Sequence, residues 1–74
     1  MTNGTIQIEF TGSGFKVRNG GGEATFAFLC GLQKRGLFRS MHEGPLHLVN
    51  WIEKHRVEKF QAYCEANGFK VVRA

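Results

Sequence analysis

Two short segments on either side of a glycine turn alternate apolar and polar residues, and this pattern restricts the fold more than anything else in the chain. In TIQIEF, Ile6, Ile8 and Phe10 alternate with Thr5, Gln7 and Glu9; in FKVR, Phe15 and Val17 alternate with Lys16 and Arg18. A repeat of two sends successive side chains to opposite faces, so each segment reads as a strand with one face buried. The intervening TGSG predicts a two-residue Gly12-Ser13 turn of type II′, with glycine where positive φ is needed. Such a turn pairs Phe10 with Phe15, Glu9 with Lys16 and Ile8 with Val17. Apolar residues then meet on one face and opposite charges on the other, so register and hydrophobic pattern agree.

Downstream the period lengthens. Residues 23–35 predict a helix, because Phe26, Phe28, Leu29, Cys30 and Leu32 cover so much of its circumference that it must be largely buried. Lys34 and Arg35 suit its C-terminal end, and Gly36 suits the position just beyond. The linker LFRSMHEG leads to Pro45, well placed to open a second helix. Over 45–66 the residues Leu46, Val49, Ile52, Val57, Phe60, Tyr63 and Cys64 fall on one side at helical spacing, with Glu53 and Arg56 interrupting the stripe. The segment reads as one long helix or two shorter ones, ending at Asn67-Gly68. Phe69-Lys70-Val71-Val72 reads as a final strand with Phe69 and Val71 inward. The expected order is ββααβ: a small α+β domain in which the N-terminal hairpin and the C-terminal strand form a three-stranded sheet. Two helices, or three if the long one breaks, pack on one face of it.

At 74 residues the chain is expected to be a single domain over 1–74, and 42% hydrophobic with 22% charged residues is ordinary for a globular one. No apolar run approaches membrane-spanning length and MTNGTIQIEF has no signal-peptide pattern, so a soluble, cytoplasmic protein without a membrane partner is expected. Cys30 and Cys64 both fall in apolar helical patterns and read as buried thiols rather than a disulfide. Ten Lys and Arg face six acids, all Glu, for a formal charge of +4. That balance suits a polyanionic partner.

Chemistry-bearing motifs are scarce. In RNGGGEATFAF a strand passes through Gly20-Gly21-Gly22 into a helix, the layout of a phosphate cradle. But GxxxxGK and GxGxxG are both absent, and Glu23 in the first helical turn repels phosphate, so a flexible corner is the favoured reading. His47 and His55 lie eight apart, too far along one helix to share a metal, and no Cys or His stands at helical spacing from them. Neither cysteine lies where its pKa would fall, and no pair of glutamates carries an acid–base signature. No catalytic residue, metal or cofactor is expected.

What remains is binding. On one long helix His47, Trp51 and His55 would form a ladder on the polar side, with Lys54 and Arg56 nearby, and an exposed Trp among polar groups is typical of an interface anchor. The alternative is that Trp51 and Leu48 pack on the first helix. Lys16, Arg18 and Lys70 are expected on the open face of the sheet, with Lys34, Arg35 and Arg39 clustered at the end of the first helix. Lys54, Arg56 and Lys59 make a third group; all three are candidates for phosphate contacts, although for each cluster alone a solvated surface is the favoured reading. No aromatic is expected on the open sheet face, so base stacking is not indicated. In size, basic charge and lack of catalytic machinery the chain resembles, in type and on no particular motif, small proteins of phages and mobile elements such as anti-CRISPR proteins. That resemblance implies an inhibitor docking on a protein or nucleoprotein complex. The resulting expectation is a non-enzymatic module that binds a protein partner through Trp51, Lys54, Arg56, His47 and His55. Direct nucleic-acid binding through Lys16, Arg18, Lys34, Arg35, Arg39 and Lys70 is the alternative. Self-association stays open, since an open sheet edge and a helix apolar on two sides can both dimerise.

Overall fold

The computed structural model describes residues 2–42 and 48–73, with the backbone alone at 40–42 and 48. The hairpin is as its alternation requires. Strand β1 (Gly4–Phe10) pairs antiparallel with β2 (Gly14–Gly21). Phe10 lies opposite Phe15, Glu9 opposite Lys16 and Ile8 opposite Val17. Gly12 takes φ +93°, and the Thr11 amide closes the turn by donating to the Gly14 carbonyl at 2.8 Å. Helix α1 (Glu23–Lys34) follows.

The second half departs from expectation. Residues 48–66 are not helical throughout: β4 (Leu48–Glu53) runs into a 3₁₀ turn at Lys54–Arg56 and then into helix α2 (Val57–Ala66). The linker contributes another strand, β3 (Arg39–His42), paired antiparallel with β4. The helix start expected at Pro45, with Leu46 on its stripe, lies outside the described residues. Among the described residues the sheet therefore has five strands in the order β3-β4-β2-β1-β5, not three, although the small α+β class holds. The physical reason lies in LVNWIE, where apolar residues occupy both alternating sets. A segment apolar on both sides satisfies a helical stripe and a strand equally well, and pairing with β2 decides for the strand. Glu53, which interrupts the helical stripe, has extended backbone angles (φ −64°, ψ 146°) just before the 3₁₀ turn.

The last strand, β5 (Phe69–Arg73), joins the hairpin as expected; it pairs with β1, and in parallel. Because β4 and β5 run the same way but are separated by β2 and β1, the chain must cross the sheet between them, and α2 makes that crossing. One core results. Ile6, Ile8, Phe15, Val17 and Ile52 from the sheet meet Leu29 and Leu32 of α1 and Val57, Phe60 and Cys64 of α2. Phe28 of α1 stacks on Phe69 with ring centroids 4.4 Å apart, and Phe38 meets Phe60 edge-on at 5.5 Å. Cys64 is fully buried while Cys30 is only partly so, and both are free thiols.

The glycine tract is a corner. Gly21 and Gly22 adopt φ +140° and +99°, values that a side chain disfavours. The Gly21 amide donates to Asn19 Oδ1 at 2.8 Å, and the buried Thr25 hydroxyl donates to the Gly21 carbonyl at 2.7 Å. The polar groups of Gly21 are thus used locally.

Two glycines predict opposite outcomes for the same substitution. A Cβ at Gly14 would collide with the Trp51 ring and the Ile52 carbonyl, whereas one at Gly31, inside α1, would meet open space. Gly14→Ala is expected to destabilise the protein by about 1–3 kcal/mol through overpacking. Gly31→Ala is expected to stabilise it by about 0.5–1 kcal/mol through helix propensity. Urea unfolding of the two variants beside the wild type checks both signs.

Candidate functional site

Two surfaces gather the charged and aromatic side chains, one on each side of the sheet. The first is a groove on the helical side. Helix α1 ends in a Schellman motif: the Gly36 amide donates to the Gln33 carbonyl at 3.0 Å and the Leu37 amide to the Leu32 carbonyl at 3.3 Å, with φ +74° at Gly36. This reversal turns Leu37 back beside Leu32 and sets Arg35 on the adjoining rim. Opposite, Arg56, Lys59, Phe60 and Tyr63 recur at three- and four-residue intervals, so α2 and the residue before it present them along one face. Leu32, Leu37, Ile52 and Phe60 form the apolar floor, and Arg35, His55, Arg56, Lys59 and Tyr63 complete the walls of a half-open cavity of about 540 Å³. No carboxylate is among the described residues lining it. Arg35 Nη1 donates to the Tyr63 hydroxyl at 3.4 Å, linking the two walls.

Glu53 stands just outside. Its carboxylate meets Arg39 Nε at 2.6 Å and Arg56 Nη1 at 3.5 Å. Its carboxyl is held below the ordinary value of 4.5 by a hydrogen bond from its own backbone amide, then by Arg39 and Arg56, against a desolvation that pushes it up. Burial, with the neighbouring Glu65 charge, pushes the Cys64 thiol up to about 12, which keeps it protonated and a poor nucleophile.

The second surface is the face of the sheet turned away from the helices. Strand pairing sets Trp51 of β4 between Lys16 of β2 and Arg39 of β3. Gly14 has no side chain, so the indole lies against its backbone. The indole Nε1 donates to Thr11 Oγ1 at 3.1 Å, and that hydroxyl donates to the Gly14 carbonyl at 3.0 Å. The ring is thereby pinned while staying half-exposed. Gln7, Glu9, Lys16, Arg18 and Lys70 occupy this same face by alternation, as their positions in the strands imply. Val49 shares it and is buried.

The sequence-derived groups are therefore re-sorted. The ladder His47, Trp51, His55 does not exist: Trp51 is on a strand, His55 is in the 3₁₀ turn, and His47 lies outside the described residues. Trp51 packs on neither α1 nor a helical partner, and its position overturns the expectation that the open face lacks an aromatic. His55 and Arg56 instead meet Arg35 at the groove, while Arg39 joins Lys16, Arg18 and Lys70 on the sheet. Lys34 is exposed in the last turn of α1 and belongs to neither surface. Lys54 lies with its Nζ 5.6 Å from the Phe10 ring centroid, away from both. Tyr63, Leu37, Thr11 and Gly14 take site positions that sequence reasoning missed. Of these, only Gly14, a glycine opening a strand, carries a legible signal of close approach.

Among the described residues no three His, Cys, Asp or Glu side chains gather as metal ligands, and no helix is long and apolar enough to cross a membrane. Comparison of the chain with protein families, with curated proteins and with solved structures finds no match.

The lowered Glu53 carboxyl fixes the sign of an acid response. A carboxyl whose folded value is depressed contributes stability that is complete above its unfolded value and is lost as pH falls through the folded one. Stability is expected to decline below about pH 4.5, and Glu53→Gln is expected to remove part of that decline. Urea midpoints of both proteins at about pH 7 and about pH 3 test this.

Proposed function

We propose that the protein is a non-enzymatic binding module that docks on a protein partner through the groove between α1 and α2. The observation that carries this reading is the pairing of an apolar floor with a rim of Arg35, His55, Arg56 and Lys59 and no carboxylate among the described lining residues. Such a rim attracts acidic groups, and the floor takes an aliphatic or aromatic side chain. The occupant is a partner segment in which an apolar anchor is flanked by Asp or Glu. Arg and Tyr are the side chains that most often concentrate binding energy at interfaces, and Arg35, Arg56 and Tyr63 supply them here. The resemblance in type to phage and mobile-element inhibitors supports a partner within a nucleic-acid-handling complex.

Fluorescence anisotropy with short labelled peptides tests the reading, comparing a central Phe flanked by Glu with the same peptide flanked by Lys. The Glu-flanked peptide is expected to bind, with affinity falling as salt rises. Reversing two rim charges, Arg35→Glu with Lys59→Glu, is expected to weaken it by about ten-fold or more with the circular-dichroism spectrum unchanged. Equal binding of the two peptides, or indifference to charge reversal, overturns the proposal.

A further inference from the structure

The geometry points to a second, separate site: the sheet face around Trp51 binds single-stranded nucleic acid by stacking an unpaired base on the indole. Three observations carry it. First, Trp51 is flanked across the strands by Lys16 and Arg39, so a cationic residue stands opposite it on each neighbouring strand. Second, the indole N–H already has its partner in Thr11, and the ring is held against Gly14. Stacking on it therefore strands no polar group and fixes no loose side chain, and binding avoids both costs. Third, the charge of the face is complementary to phosphate. Lys16, Arg18, Arg39 and Lys70 stand there against Glu9 and Glu53, so cations outnumber carboxylates on the face even with Arg39 and Glu53 paired to each other.

A paired base hides its flat surface within the duplex, while an unpaired one offers it to an aromatic ring, so the occupant is single-stranded. DNA and RNA share that chemistry. Stacking is sequence-tolerant, and the cations track the backbone on either side of the ring. This site does not depend on the groove, which lies across the sheet beneath the helices.

Trp51 is the only tryptophan in the chain, so its fluorescence reports from the site alone. The experiment titrates the intact protein with dT12 and with rU12, followed by Trp51 emission and by anisotropy of labelled oligonucleotide, at low and at near-physiological salt. Quenching of Trp51 that parallels binding of either oligonucleotide is the expected result, with affinity falling as salt rises. Trp51→Phe, which keeps a ring, is expected to retain most of the affinity, and Trp51→Ala to lose roughly five- to hundred-fold. Since Trp51→Ala also removes packing on Gly14, Lys70→Glu serves as a second variant. It is expected to weaken binding and flatten the salt dependence while leaving Trp51 in place. Lys59→Ala, in the groove, is expected to leave oligonucleotide binding unchanged, which separates this test from that of the protein-docking site.

Absence of quenching at low salt overturns the proposal. So does binding of duplex DNA as tightly as of the single strands, or quenching by heparin, a polyanion without bases, to the same depth.

Discussion

Ile6 and Ile8 lose all contact with solvent at the middle of the sheet, and the rest of the molecule is arranged to keep them so. Their strand, β1, is flanked on both edges, by β2 in the hairpin and by β5 arriving from the far end of the chain. Neither neighbour shields the faces of the isoleucines; α1 and α2 do that, by bringing Leu29, Leu32, Phe60 and Cys64 over them. A single apolar face covered by two helices leaves the opposite face without a helical layer. That asymmetry follows directly from the alternation of TIQIEF, and it creates the separate settings in which the two candidate surfaces stand.

The hairpin was legible because two independent signals coincide there: the period of the apolar residues and the turn chemistry of Gly12-Ser13. The C-terminal strand and helix α1 were legible for similar reasons, with Gly36 and Gly68 marking the ends of helices. In 48–53 the signals compete. Leu48, Val49, Trp51 and Ile52 supply apolar character to both sides of the segment, so the pattern alone does not select a period. What selects it is the backbone of β2, whose far edge offers hydrogen-bond partners to an extended chain. A long-range pairing of this kind leaves no trace in local spacing. Strand β3 is hidden differently: in RSMH only Met41 is apolar, so there is no alternation to recognise.

The candidate residues were named with more success than they were grouped. Arg35, Arg56 and His55 belonged to different sets when only helical spacing joined them, and the reversal at Gly36 is what brings the first beside the others. Trp51 stood as a helix-borne anchor, yet as a strand residue it keeps company with Lys16 and Arg39, residues from another set. Residue type survives an error in secondary structure; neighbourhood does not. The floor of the groove was the least legible part, since Phe60 looks like an ordinary core position and Leu37 like a linker residue until the helices leave a space between them.

Strand β5 pairs with β1 from Gly4–Phe69 onward, and the Asn3 amide donates to the Gly68 carbonyl at 2.6 Å. Strand β1 is thus completed by residues from the opposite end of the described chain. Closing so long a loop carries an entropic cost before any contact rewards it. The consequence is kinetic: on a ribosome, β1 and β2 emerge before β5 and wait with an edge unpaired until that strand has been made. Folding of this domain is accordingly governed by the arrival of its last strand rather than by the formation of its first hairpin.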